Sequence, residues 1–139
     1  MRVMVIVKSD ETSEMGVLPA EEYLSAMDRY NEELVRAGVL LAAEGLTSSS
    51  EGKKVRFTGS RTTVIDGPFT ETKELVAGFW LLEVRSMDEA VEWVRRIPVP
   101  DDPEYGDGDV EIRVVADLDG HPSGPKLIAQ GAAGDTAGA

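Results

Sequence analysis

The chain has no cysteine and one histidine in 139 residues. Without cysteine there are no disulfides, thiolate nucleophiles or zinc–thiolate centres. That composition agrees with a cytoplasmic address, which is the expectation for this protein. Long apolar runs are also missing. No stretch reaches the eighteen residues a membrane-spanning helix needs, so no membrane partner is expected. The N-terminus carries Arg2 ahead of a short apolar run that passes straight into charge, and it reads as a first strand rather than a signal peptide. There is no glycine-rich phosphate loop and no dinucleotide fingerprint. Asp117-x-Asp119-Gly120 matches part of a calcium loop, but Val115 occupies the first ligand position and the closing glutamate is missing. The expectation is therefore no cofactor and no metal.

Positive charge is scarce. Lysine and arginine number 14 against 26 acids, a net charge of −12. Between Pro98 and Gly120 eight acids face Arg113 alone. A phosphate backbone would be repelled by such a surface, so no nucleic-acid partner is expected. The simpler account of the segment is an acidic loop that keeps the protein soluble.

What is present is a chain suited to one domain with a real core. Arg2 to Val7 is apolar at nearly every position and predicts a strand buried on both faces. Lys8 to Val17 reads as a loop. Pro19 opens a helix, with Glu21 and Glu22 at the positive end of its dipole. Tyr23, Leu24, Met27, Tyr30, Leu34 and Val35 form its apolar stripe, and Gly38 ends it. Val39 to Leu46 predicts a second strand. Lys54–Thr58 and Arg61–Ile65 predict a hairpin about Gly59-Ser60, a pair that permits a II′ turn. Val76 to Val84 is again apolar on both faces. Ser86 and Glu89 have capping-box spacing ahead of a second helix, which Pro98 closes. Val110 to Ala116 predicts the last strand. From residue 119 the chain is rich in glycine, alanine and proline and reads as a tail, leaving a domain over residues 1–118.

This order is strand–helix–strand, hairpin, strand–helix–strand. It predicts an α+β fold, a ferredoxin-like split βαβ with an inserted hairpin. Two helices cover one face of the sheet, and no helix remains for the other. The economical cover is a second copy, so a homodimer is expected.

The candidate site lies between Thr63 and Val84, where two apolar runs flank a polar insert, Asp66-Gly67-Pro68-Phe69 followed by Thr70-Glu71-Thr72-Lys73-Glu74. An aspartate in such a turn has a plain structural use, bonding its own backbone two residues on. Its functional use is as a proton acceptor of raised pKa beside the dimer seam, with Phe69 as an apolar wall. Glu44 is the natural second carboxylate, able to divide acid and base duties with Asp66 if the two are close; its plain reading is a strand end facing water. Lys73 is either a surface ion-pair partner of Glu71 and Glu74 or a cation for a developing oxyanion. Arg61 and Arg56 are either solvated or placed to hold a substrate carboxylate. Trp80 and Trp93 belong to the core.

Asp66-Gly67-Pro68-Phe69, with Thr70-Glu71-Thr72-Lys73-Glu74 and Gly78-Phe79-Trp80 after it, resembles the signature of the DGPF proteins of the YCII-related family. Ala43-Glu44-Gly45-Leu46, Ala37-Gly38 and Asp88-Glu89-Ala90 extend the likeness over residues 1–118. The resemblance implies a dimeric α+β barrel. Relatives in the wider family carry a proposed His–Asp pair, and some are linked to dechlorination or isomerisation of lactones. This chain departs from that pattern, because its only histidine is His121 in the tail. Many DGPF proteins are also associated in genomic setting with extracytoplasmic-function sigma factors. Two expectations result. One is a pocket protein that binds or converts a small organic acid or lactone by cofactor-free proton transfer. The other is an interaction module, for instance a sigma-factor partner.

Overall fold

The apolar run at the N-terminus forms strand β1 (Arg2–Lys8), which lies between β5 (Val76–Glu83) and β6 (Val110–Val114). With β2 (Leu40–Gly45) on the far side of β5, the sheet order is β2-β5-β1-β6. Every pairing is antiparallel. The structure is a computed structural model that describes residues 1–15, 20–99 and 108–117. The strand order is that of the ferredoxin-like α+β fold. In one chain the four-stranded sheet is open, with β2 and β6 at its edges. The expected helix start at Pro19, residues 100–107 and 118–120 of the acidic Pro98–Gly120 segment and the tail with His121 lie outside the described residues.

Two amphipathic helices cover the sheet. α2 (Glu21–Arg36) carries Glu21 and Glu22 in its first turn and Arg36 in its last, each matching the local end of the helix dipole. It stops where Gly38 adopts a φ of +71°, a conformation that side-chain-bearing residues rarely take. α3 (Met87–Arg95) is capped by Ser86, whose Oγ accepts the Glu89 N–H at 3.1 Å. The return bond differs from a standard capping box. The Glu89 carboxylate accepts the N–H of Arg85, one residue upstream of the cap, at 2.7 Å. That hydrogen bond, with the Arg85 charge, holds the Glu89 carboxyl below its ordinary range. The predicted loop after β1 contains a helical turn, α1 (Glu11–Glu14). Asp10 and Ser13 stabilise it by exchanging side-chain and backbone hydrogen bonds of 2.7 and 3.0 Å.

Alternate residues of β1 and β5 supply the core. Val3, Val5, Trp80 and Leu82 face Tyr30 and Leu34 of α2 and Ala90 of α3, and Leu34 is fully buried. Polar tips fix the packing. Trp80 Nε1 donates to Asn31 at 2.7 Å, and the Tyr30 hydroxyl donates to the Trp93 carbonyl at 2.7 Å. Tyr30 and Trp80 meet edge to face with centroids 5.7 Å apart. Burial pushes the Tyr30 phenol up to about 12.

The opposite face is a different surface. Met4 and Ile6 pair with Leu81 and Phe79, and all four are only partly buried. The expectation that β1 and β5 are buried on both faces therefore holds for one face of a single chain. Both helices pack on the same side, and no described element crosses the other.

β3 (Lys53–Thr58) and β4 (Arg61–Asp66) form a separate two-stranded ribbon. Its turn puts Gly59 at φ +62°, and among the described residues none but glycine has a positive φ. A positive φ at the first central residue alone is the II′ pattern rather than I′.

Candidate functional site

Asp66 is the last residue of β4, and the turn after it is seated on the loop between β2 and β3. The Gly67–Pro68 peptide is cis. The Gly67 N–H donates to the Gly52 carbonyl at 3.0 Å. A Cβ on Gly67 would lie 1.7 Å from the Ser49 carbonyl oxygen, so no side chain fits there. Phe69 N–H donates to Ser49 Oγ at 3.0 Å. Ser49 is held in turn by Glu14 of α1. Its N–H donates to one carboxylate oxygen at 3.0 Å and its hydroxyl donates to the other. Ser48 Oγ adds a bond to the Glu14 carbonyl at 2.6 Å. Three segments distant in sequence thus converge on Ser49 and clamp the Asp66–Phe69 turn.

The clamp removes the plain structural use of Asp66. An aspartate side chain bonding two residues on would need the N–H of residue 68, and Pro68 has none. The next N–H, that of Phe69, is taken by Ser49. The Asp66 carboxylate instead projects into solvent and pairs with Lys53, its cross-strand partner. Both side chains are mostly exposed, which limits the pair to about 0–1 kcal/mol. Lys54 lies over the half-buried Phe69 ring, 4.3 Å from its centroid. The turn therefore presents one carboxylate, two ammonium groups and an aromatic face on a backbone locked from behind.

The remaining predicted residues divide. Glu44 stands opposite Phe79 on β5, while its neighbour Ala43 packs towards the core. Strand alternation therefore places Glu44 on the uncovered sheet face, where it is exposed. No hydrogen bond or ion pair joins Glu44 to Asp66. Arg61 starts β4 opposite Thr58, at the far end of the strand from Asp66, about 17 Å away at ~3.3 Å per residue. Lys73 falls in the 3-10 turn Thr72–Glu74 that leads into β5. The other edge of the uncovered face carries Glu111, opposite Ile6, with Lys8 at 3.6 Å and Arg113 at 3.1 Å. The Arg113 hydrogen bond, then Lys8, hold the Glu111 carboxyl below its ordinary range. Among the described residues no three His, Asp or Glu side chains come together to hold a metal ion. None of the described helices is long and apolar enough to cross a membrane.

The family model for the YCII-related domain matches residues 1–119. The chain belongs to the YCII-related domain family. It is also similar to Uncharacterized protein R00369 of Rhizobium meliloti (strain 1021), with 32% identity over 97 residues, which cover 68% of this chain and 78% of that protein. Within this YCII-related chain the residues that lock the turn are Glu14, Ser49 and Gly67. Sequence reasoning missed Glu14 and Ser49, which sit in polar stretches with no periodic signal. Lys53 was recoverable. A two-residue turn at Gly59-Ser60 sets Thr58 opposite Arg61, and counting back along the ladder brings Lys53 to Asp66.

Proposed function

We propose that this YCII-related protein is a homodimer that binds a small organic acid or lactone beside the dimer seam and moves a proton on it without a cofactor. In this reading Asp66 is the proton acceptor. It takes a proton from carbon next to the substrate carbonyl, and the electron pair moves onto the carbonyl oxygen as an enolate. Returning the proton to the same or a conjugated carbon completes an exchange or an isomerisation, with no atom gained or lost. Lys53 and Lys54 supply positive charge for a substrate carboxylate or the developing oxyanion. Phe69 is the apolar wall, and Glu44 is the second carboxylate on the surface that a second copy would cover.

The observation that carries this proposal is the exposed Asp66 carboxylate, paired with Lys53 and carried on a fixed backbone. Its turn is held by hydrogen bonds from Gly67 and Phe69 and by the close seat of Gly67 on Ser49, none of which uses the carboxylate. A catalytic group needs that combination of fixed position and an available functional atom. The homodimer rests on the apolar stripe of Met4, Ile6, Phe79 and Leu81, which no described element covers.

The test is a thermal-shift screen of small carboxylic acids, lactones and phenols against wild type and Asp66→Asn. A ligand present at a hundred times its Kd stabilises by about 2.7 kcal/mol, which such a screen resolves. The expected result is a hit that raises the melting temperature of wild type and not of the variant. Hits that stabilise both proteins equally would remove Asp66 from the site.

A further inference from the structure

The β3–β4 ribbon has two chemically distinct faces. One face carries the cross-strand pairs Val55–Val64 and Phe57–Thr62, with the Lys53–Asp66 pair at its end beside the turn. The other face carries Lys54, Arg56 and Arg61 with Thr58, Thr63 and Ile65, and no acid. The apolar face is bare. Phe57 is 75% exposed, Val64 61% and Val55 52%. A lone two-stranded ribbon is marginally stable in water, and exposed apolar pairs on it mark a surface that meets something. Among the described residues no acid pairs with Arg56 or Arg61.

We infer that this ribbon is an arm that docks its Val55–Phe57–Val64 face on a second copy of the chain. The inference rests on the homodimer reading and extends it to a different surface. Size argues for the arm. Four strands at ~4.8 Å spacing and five residues at ~3.3 Å give the uncovered sheet face a footprint of about 320 Å². A stable interface takes about 800 Å² per partner. Each arm has a face of about 200 Å² by the same measure, and in a two-fold pair each protomer both gives and receives one. The total is then about 720 Å² per protomer, near what is required.

Sedimentation equilibrium of wild type, Phe57→Glu and Val64→Glu, with hydrogen exchange of the ribbon amides at low and high protein concentration, tests the inference. Both positions are exposed in the single chain, so the variants keep the wild-type circular dichroism. The expected result is a wild-type mass of two chains, a dissociation constant raised at least tenfold in each variant, and ribbon protection that grows with concentration in wild type alone. A two-chain mass unchanged in both variants, with ribbon exchange independent of concentration, would overturn the arm and leave the homodimer standing. A one-chain wild-type mass at every concentration would overturn both.

Discussion

Gly67→Ala probes the clamp behind Asp66. The added methyl would sit 1.7 Å from the Ser49 carbonyl oxygen, where real Cβ contacts are beyond 3 Å. The obstacle is backbone, and Ser49 is itself fixed by Glu14, so neither side yields by rotating a side chain. The turn must therefore move by more than 1 Å. That breaks the Gly67–Gly52 and Phe69–Ser49 hydrogen bonds, each worth roughly 0.5–1.5 kcal/mol. Residual backbone strain adds about 1 kcal/mol or more. The expected loss is about 2–4 kcal/mol. Urea unfolding followed by circular dichroism measures it, with the midpoint falling at an unchanged slope if the whole domain responds. If the insert detaches alone, amide exchange at positions 67 and 69 accelerates while the core stays protected. A variant within 0.5 kcal/mol of wild type that also keeps slow exchange at both amides would refute the clamp.

Two further predictions concern the scaffold. Ser86→Ala removes the α3 cap and should cost about 1 kcal/mol, whereas Ser86→Asp, which can still accept the Glu89 N–H, should cost less; urea midpoints compare them. Tyr30 has its phenol pushed up to about 12 from an ordinary value of 10.0, so the folded state favours the neutral form. The stability this supplies is complete below pH 10 and is lost as pH rises through 12. Ultraviolet titration should show a tyrosine ionising near pH 12, and Tyr30→Phe should abolish that late step.

The fold was legible because its signals are local. The two helix stripes, Gly38, the Ser86–Glu89 spacing and the Gly59-Ser60 turn each act within a few residues, and the strand order follows from their sequence. The half-covered sheet was legible only in part. Apolar side chains on both faces of β1 and β5 announce burial, but they do not say that both helices pack on one side. The site was less accessible, because its clamp joins Glu14, Ser49 and Gly67 across β1, β2 and β4. Ser48-Ser49-Ser50 reads as loop from sequence, and nothing in it points to a hub. Gly67 reads as a turn residue, although its φ is not in the left-handed region and its requirement is the close approach to Ser49. Proline after Asp66-Gly67 already excludes a side-chain bond from Asp66 to the amide two residues on, which leaves the carboxylate to solvent and to Lys53.

The central claim is that Asp66 accepts a proton from a bound carbonyl compound. Its most direct test is proton exchange in D2O. Candidate lactones and keto acids are incubated with wild type and with Asp66→Asn, and loss of the signal from hydrogen next to the carbonyl is followed by 1H NMR. The account predicts protein-dependent exchange with wild type and a loss of about 10²–10⁴-fold with Asp66→Asn, the usual contribution of a positioned general base. Exchange at equal rates with both proteins, or compounds that bind at Asp66 without any exchange, would contradict it.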